Sequence, residues 1–254
     1  MHAKTKAQLT AGVRAMMNSD KFKEMLRTAS KFHTYSLNNQ ILIWSQMPDA
    51  TRVAGYQTWK KKFKRQVLKG AKSIYIMAPR PWAKTNDDGD QEEGIWFKAV
   101  RVFDVSQTDG EPLPDWAPTE LEGEDKDGLL ARVEALISGE GLRLEDCKGS
   151  AYGWYDRQGK RIGIRQSLSP LHRTKTLVHE LAHHFQEDVE SNAHTESVAE
   201  SAAYCVMSHF GQDTNEYSFA YVATWAADEK VFMACLDRIT KASRTIIDRL
   251  EVTT

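Results

Sequence analysis

Residues 179–183 read His179-Glu180-Leu181-Ala182-His183, and the rest of the chain is best understood from this pentad outward. Positions four apart share one face of an α-helix, so two imidazoles can converge on one cation with a carboxylate close by. Zn²⁺ accepts neutral imidazole nitrogens in a tetrahedral site, and a catalytic site keeps one position open for water. Glu180 then stands where it can take a proton from that water as it attacks a carbonyl carbon.

The flanking sequence supports a helix. Ser169 is a capping residue and Pro170 is tolerated at the first helical position. Leu171, Val178, Leu181, Ala182 and Phe185 recur at helical spacing and predict a buried face. Upstream, residues 151–165 alternate around Asp156-Arg157-Gln158-Gly159-Lys160, a hairpin ending in the strand Arg161–Arg165. A sheet edge beside a metal helix can hold an extended peptide over the ion.

A third ligand has to follow. Residues 196–204 are helical in pattern, with Val198, Ala202, Cys205 and Val206 on an apolar stripe and Glu196 and Glu200 one turn apart elsewhere. We assign Glu196 to the metal and Glu200 to a hydrogen bond on a ligand histidine, which would fix its tautomer and raise its basicity. His184 is turned about 100° from His183 around the helix and is poorly placed; His194 remains an alternative ligand. His172, His209, Tyr217 and Tyr221 are of the right type to donate to a developing oxyanion.

The net charge of −1 over 254 residues conceals a division. Residues 1–80 carry sixteen Lys and Arg against Asp20, Glu24 and Asp49, a balance of +13, and the remainder balances at −14. So basic a segment attracts polyanions by counterion release. Its charges are interleaved with Phe32, Tyr35, Tyr56, Trp59, Phe63, Tyr75 and Trp82, the combination of cationic groove and stacking ring that suits single-stranded nucleic acid. Lys60-Lys61-Lys62-Phe63-Lys64-Arg65 is the densest part, and Lys69 and Lys72 follow it. Trp44 lies among Ile41, Leu42 and Ile43 and is expected in the core.

No apolar run is long enough to span a bilayer, and the basic N-terminus lacks a signal-peptide core, so no membrane partner is expected. Cys147, Cys205 and Cys235 have no CxxC spacing, which fits a reducing cytoplasm and argues against a cysteine zinc knuckle. The acidic, proline-containing stretch 108–128 is the natural boundary, with a composition that predicts mobility. A polar run, Thr85–Gly94, is expected as a mobile loop between strands Ser73–Ala78 and Ile95–Phe103. Residues 5–30 predict one or two amphipathic helices, and residues 228–251 a long packing helix.

Taken together the chain resembles the ArdC family of antirestriction proteins of plasmids, phages and other mobile elements. In the first half the resemblance rests on residues 35–44 (Tyr-Ser-Leu-Asn-Asn-Gln-Ile-Leu-Ile-Trp), 55–59 (Gly-Tyr-Gln-Thr-Trp), 67–73 and 102–107. In the second it rests on the pentad, residues 196–200 and Tyr221-Val222-Ala223-Thr224-Trp225. The resemblance implies a single-stranded-DNA-binding domain joined to a zincin-type metallopeptidase-like domain, with His179, His183 and Glu196 as ligands of Zn²⁺ and Glu180 as base. The zinc half also resembles the ImmA/IrrE group. Asn39 and Lys69-Gly70 match family positions of the first domain and join Tyr35, Trp59 and the basic residues as expected DNA contacts. The turn here is Lys-Gly-Ala-Lys-Ser where relatives have Lys-Gly-Glu-Lys-Gly. Tyr221, in the family-like stretch, is the favoured oxyanion donor.

The expected architecture is α+β. A small helix-plus-antiparallel-sheet domain spans 1–107, an acidic linker 108–128, and a mostly helical zincin-like domain with a short sheet 129–254. The expected function is antirestriction with single-stranded DNA as partner and a restriction enzyme or DNA-bound protein as substrate of a zinc metallopeptidase. The alternatives are a DNA-tethered metalloprotease acting on DNA-bound proteins in the manner of SprT-type enzymes, and a non-catalytic DNA-binding protein with a structural metal.

Overall fold

The computed structural model describes residues 3–85, 91–113, 128–148, 151–186, 192–212 and 228–252. The chain packs as two units of mixed α and β structure. Unit 1 is built from Met1–Met16 and Tyr35–Asp115, and unit 2 from Met17–Thr34 and Trp116–Thr254.

Unit 1 contains α1 (Ala3–Ala15), α3 (Leu37–Gln46), β1 (Val53–Ala54), α4 (Tyr56–Lys61), β2 (Arg65–Val67), β3 (Ile74–Thr85), β4 (Gln91–Asp104) and β5 (Thr108–Gly110). Its main sheet has the order β1-β4-β3, and β2 pairs with β5 in a separate ribbon. Ile41, Leu42, Ile43 and Trp44 of α3 are buried with Ile74, Ile76 and Met77 of β3 and Val102 of β4. Two side-chain amides bind α3 to the free edge of β3. Asn39 accepts from Met77 N–H at 2.8 Å and donates to Met77 C=O at 2.9 Å, and Gln46 does the same at Tyr75 with 3.0 and 2.9 Å. Each amide thus behaves as a short piece of neighbouring strand.

The polar run expected as a loop is strand at both of its described ends, Thr85 and 91–94. Pairing of β3 with β4 continues from Ile74↔Val102 to Thr85↔Gln91, which leaves residues 86–90 between them. Its outer half stands clear of the core: Trp82, Ile95, Trp96 and Phe97 are all more than two-fifths exposed. Pro79 and Pro81 interrupt the donor row of the edge strand β3 and so discourage further pairing. The expected linker also begins as structure, since Thr108–Gly110 form β5; residues 114–127 lie outside the described residues.

Unit 2 contains α2 (Ser19–Lys31), α5 (Leu129–Gly139), β6 (Arg143–Asp146), β7 (Gly153–Asp156), β8 (Arg161–Ile164), α6 (Pro170–Phe185), α7 (Asn192–His209) and α8 (Glu229–Val252). The sheet order is β6-β8-β7, with β6 parallel and β7 antiparallel to β8. α7 is the hub. Its Val198, Ala199, Ala202, Ala203, Cys205 and Val206 are buried, and it packs on α2, α6 and α8. The alanines bring these helix backbones close. α2 is capped by Asn18, whose Oδ1 accepts from Asp20 and Lys21 N–H, and it buries Phe22, Met25, Leu26 and Ala29 at helical spacing. Packing therefore divides the chain differently from the sequence reading of 1–107 as one segment: residues 17–34 belong with unit 2. Among the described residues no helix is long and apolar enough to cross a membrane.

Candidate metal centre

α6 starts as its sequence dictates: Ser169 Oγ accepts from His172 N–H at 3.4 Å and Pro170 takes the first turn. Leu177, Val178, Leu181 and Ala182 bury one side, which turns His179 and His183 toward α7. At the far end, Arg157 of the β7–β8 turn donates to the carbonyls of His183 and Gln186 at 3.2 and 2.8 Å, closing the helix terminus.

The two imidazoles and Glu196 converge. His179 Nε2 and His183 Nε2 are 3.1 Å apart, and each lies 3.4 Å from a carboxylate oxygen of Glu196. Two donors bonded to one ion at ~2.1 Å in tetrahedral geometry are roughly 3.4 Å apart, so this donor set fits a divalent transition ion. Burial is graded across the site. The side chains of His179 and His183 are 20% and 12% exposed and that of Glu196 is 65% exposed, so the cluster opens to solvent on the carboxylate side. A water-accessible fourth position is what separates a hydrolytic metal site from a closed structural one.

The supporting residues set the electrostatics. Glu200 Oε2 lies 3.2 Å from His179 Nδ1, and its other oxygen is 3.4 Å from Lys175 Nζ. Burial opposes charge on His179 most strongly, yet the hydrogen bonds it donates to Glu196 and Glu200 outweigh it and lift the ring to about 9. The same two imidazoles, by their hydrogen bonds, hold the Glu196 carboxyl far below the ordinary carboxylate range. Glu180 is 7% exposed, and burial pushes its carboxyl up against the opposing pull of His179 and His183. Gly153 of the edge strand β7 faces it: a Cβ built there would lie 3.0 Å from Glu180 Oε1 and 2.7 Å from Thr176 Cγ2.

His184 points elsewhere, its Nδ1 2.9 Å from the Tyr155 hydroxyl and its Nε2 3.7 Å from Glu140. His194 is not in the converging group. Of the oxyanion candidates, His209 is committed to Ser30 C=O and Glu251 at 2.9 Å each, and His172 packs against Tyr152 with the rings tilted by 56°. Tyr217 and Tyr221 lie outside the described residues. Sequence reasoning missed Gly153, Tyr155, Arg157 and Lys175. Only the glycine left a signal, since a glycine inside a strand marks a close approach of something else.

The residues expected at the DNA surface separate into two groups. Lys60, Lys61, Lys62, Lys64, Lys69 and Lys72 are exposed. Trp59 and Asn39 are core residues and cannot present a face to a ligand: Trp59 is 1% exposed and donates its indole N–H to Phe103 C=O, and both ends of the Asn39 amide are used by Met77. Tyr35 is half-buried with its hydroxyl on Val53 C=O, and Arg65 spends its guanidinium on Thr108, Gly110 and Glu111. Exposed rings are supplied instead by Tyr56, Trp82, Trp96 and Phe97. A cleft of about 580 Å³ lined by Tyr56, Leu68, Lys69 and Gly70 lies on the same unit. Gly70 there has φ +85°, a backbone state that favours glycine, and Ala71 N–H closes the turn on Leu68 C=O.

Comparison with known proteins agrees with the mixed α and β fold. The family model for the N-terminal domain of anti-restriction factor ArdC matches residues 3–103. Two crystal structures of the antirestriction protein ArdC from the R388 plasmid, one metal-free and one Mn(II)-bound, share the fold. They cover 86% of this chain and 85% and 84% of their own, with TM-scores of 0.58 and 0.55 and 21% identity. An uncharacterized Bacillus anthracis protein is 26% identical over 80% of this chain, which spans 42% of that relative's length. The chain thus carries a segment similar to the ArdC N-terminal domain over its first hundred residues and shares the fold of the R388 protein over most of its length.

Proposed function

We propose that this protein counters restriction on behalf of a mobile element, a plasmid or phage, holding single-stranded DNA with unit 1 and carrying a zinc-dependent peptidase site in unit 2. The convergence of His179, His183 and Glu196 with buried Glu180 beside them carries the hydrolytic half of the reading. The solved relatives are antirestriction proteins, one with Mn(II) bound. Two imidazoles and a carboxylate accept zinc, manganese or cobalt, and zinc is favoured by donor type.

An ion held by these three side chains would act as a Lewis acid and acidify a water molecule. Glu180 takes that water's proton and returns it to the leaving amine, a task suited to a carboxyl raised by burial. Glu200 orients His179, and β7, an edge strand beside Glu180, offers main-chain groups to an extended peptide. The exposed lysines of residues 60–72 and the outward rings of Tyr56, Trp82, Trp96 and Phe97 support nucleic-acid binding by phosphate contact and stacking. The substrate class is a restriction enzyme or a protein bound to single strands, in the cytoplasm.

The test is Glu180→Gln in the full chain. Metal content should stay at the wild-type stoichiometry while cleavage of a restriction enzyme or a strand-bound protein falls about 10²–10⁴-fold. Undiminished protection of incoming DNA by this variant would move the function to binding alone. Failure of the wild type to bind oligonucleotides at low salt would remove the DNA half.

A further inference from the structure

A second cluster lies in unit 2, where the segment after α2 meets the ends of α7 and α8. His33 is 3% exposed, and neither of its ring nitrogens has a hydrogen-bond partner. Its Nε2 points at two carboxylates one helical turn apart on α8, 3.5 Å from Asp248 Oδ1 and 3.8 Å from Glu251 Oε2. These separations are too long for hydrogen bonds to an imidazole N–H. They come close to the roughly 3–3.5 Å between donors that share one cation, and the carboxylates are exposed enough to close the difference by small rotations. The other Glu251 oxygen is already paired with His209, whose Nδ1 must donate to the Ser30 carbonyl. Asp248 Oδ2 faces Arg244 at 3.5 Å, so each carboxylate presents its remaining oxygen to His33.

We infer that His33, Asp248 and Glu251 form a second divalent-cation site, separate from the HExxH centre, that ties the segment after α2 to α8. A buried imidazole with both nitrogens unsatisfied is costly, and a cation bonded to Nε2 relieves that cost on the side where two carboxylates supply the compensating charge. One nitrogen and two carboxylate oxygens suit Mn²⁺ or Zn²⁺, with water completing the shell. The role is structural: all three side chains are spent as ligands, and the ion joins two stretches of chain more than two hundred residues apart in sequence.

The experiment is an Mn²⁺ titration of the full chain followed by electron paramagnetic resonance, with metal analysis of the dialysed protein. Wild type is expected to bind two ions, and His33→Ala or Asp248→Asn one. A His179→Ala, His183→Ala variant should also bind one, and that ion should be lost when Asp248→Asn is added. Asp248 is half exposed, so Asp248→Asn keeps the fold, as circular dichroism would verify. It leaves peptide hydrolysis unchanged, which separates this site from the catalytic one. A single ion in the wild type, or a second ion untouched by Asp248→Asn, overturns the inference.

Discussion

Glu200 serves two neighbours at once, with one oxygen on His179 and the other near Lys175. Removing it frees the His179 tautomer and lowers ligand basicity, so Glu200→Ala should weaken metal affinity about 10–100-fold. Equilibrium dialysis against a chelator would measure this, and an unchanged affinity would reduce Glu200 to a surface charge. Gly153 makes the opposite prediction. A methyl group there crowds Thr176 and the Glu180 carboxylate, so Gly153→Ala should lower hydrolysis with metal content unchanged. Cys205 is legible in a third way: burial pushes its thiol up to about 12, and Cys147 and Cys235 are buried as well. At pH 8 almost none of the Cys205 population is thiolate, the reactive form. A thiol reagent should therefore find this cysteine silent until denaturant is added.

At the scale of the element, periodicity served helices well and faces of side chains poorly. The pentad, the Ser169-Pro170 start and the spacing of buried residues all found α6 as expected. The hairpin around Asp156–Lys160 was equally readable, because alternation brackets a turn. β6 was missed: Arg-Leu-Glu-Asp has no strand composition and is held only by its parallel pairing with β8. Trp59 and Asn39 were read as ligand contacts because an aromatic ring or an amide in a basic segment does not announce which way it points. Packing decided it, since Asn39 is the strand-like clamp on β3. Asn39→Ala should strand the Met77 N–H and C=O and cost about 2–4 kcal/mol, readable by urea denaturation.

For the whole molecule, the charge division of the sequence is weaker than it looks once the chain is folded. Unit 1 as packed holds fifteen Lys and Arg against ten Asp and Glu, because α2 takes four cations to the other unit and the strands and loops beyond residue 80 bring acids back. On the proposed DNA-binding role, affinity would depend on a few exposed lysines instead of a regional field. Each lysine among 60, 61, 62 and 64 that touches a phosphate should contribute about 0.7 to the slope of log affinity against log salt on a single strand, so replacing all four by Gln should flatten that slope measurably. A slope unchanged by the replacement would place the contact elsewhere on the unit.

The excursion of residues 17–34 into the second unit has a practical corollary for anyone dissecting this molecule with a protease or a stop codon. One scission near residue 110 would not release two intact halves. The amino-terminal product would keep a helix whose apolar stripe, Phe22, Met25, Leu26 and Ala29, has lost its α7 seat. Its counterpart would carry a bare trough along α7. The front piece should be sticky and the rear piece loosened, and mixing them should restore a complex by helix complementation.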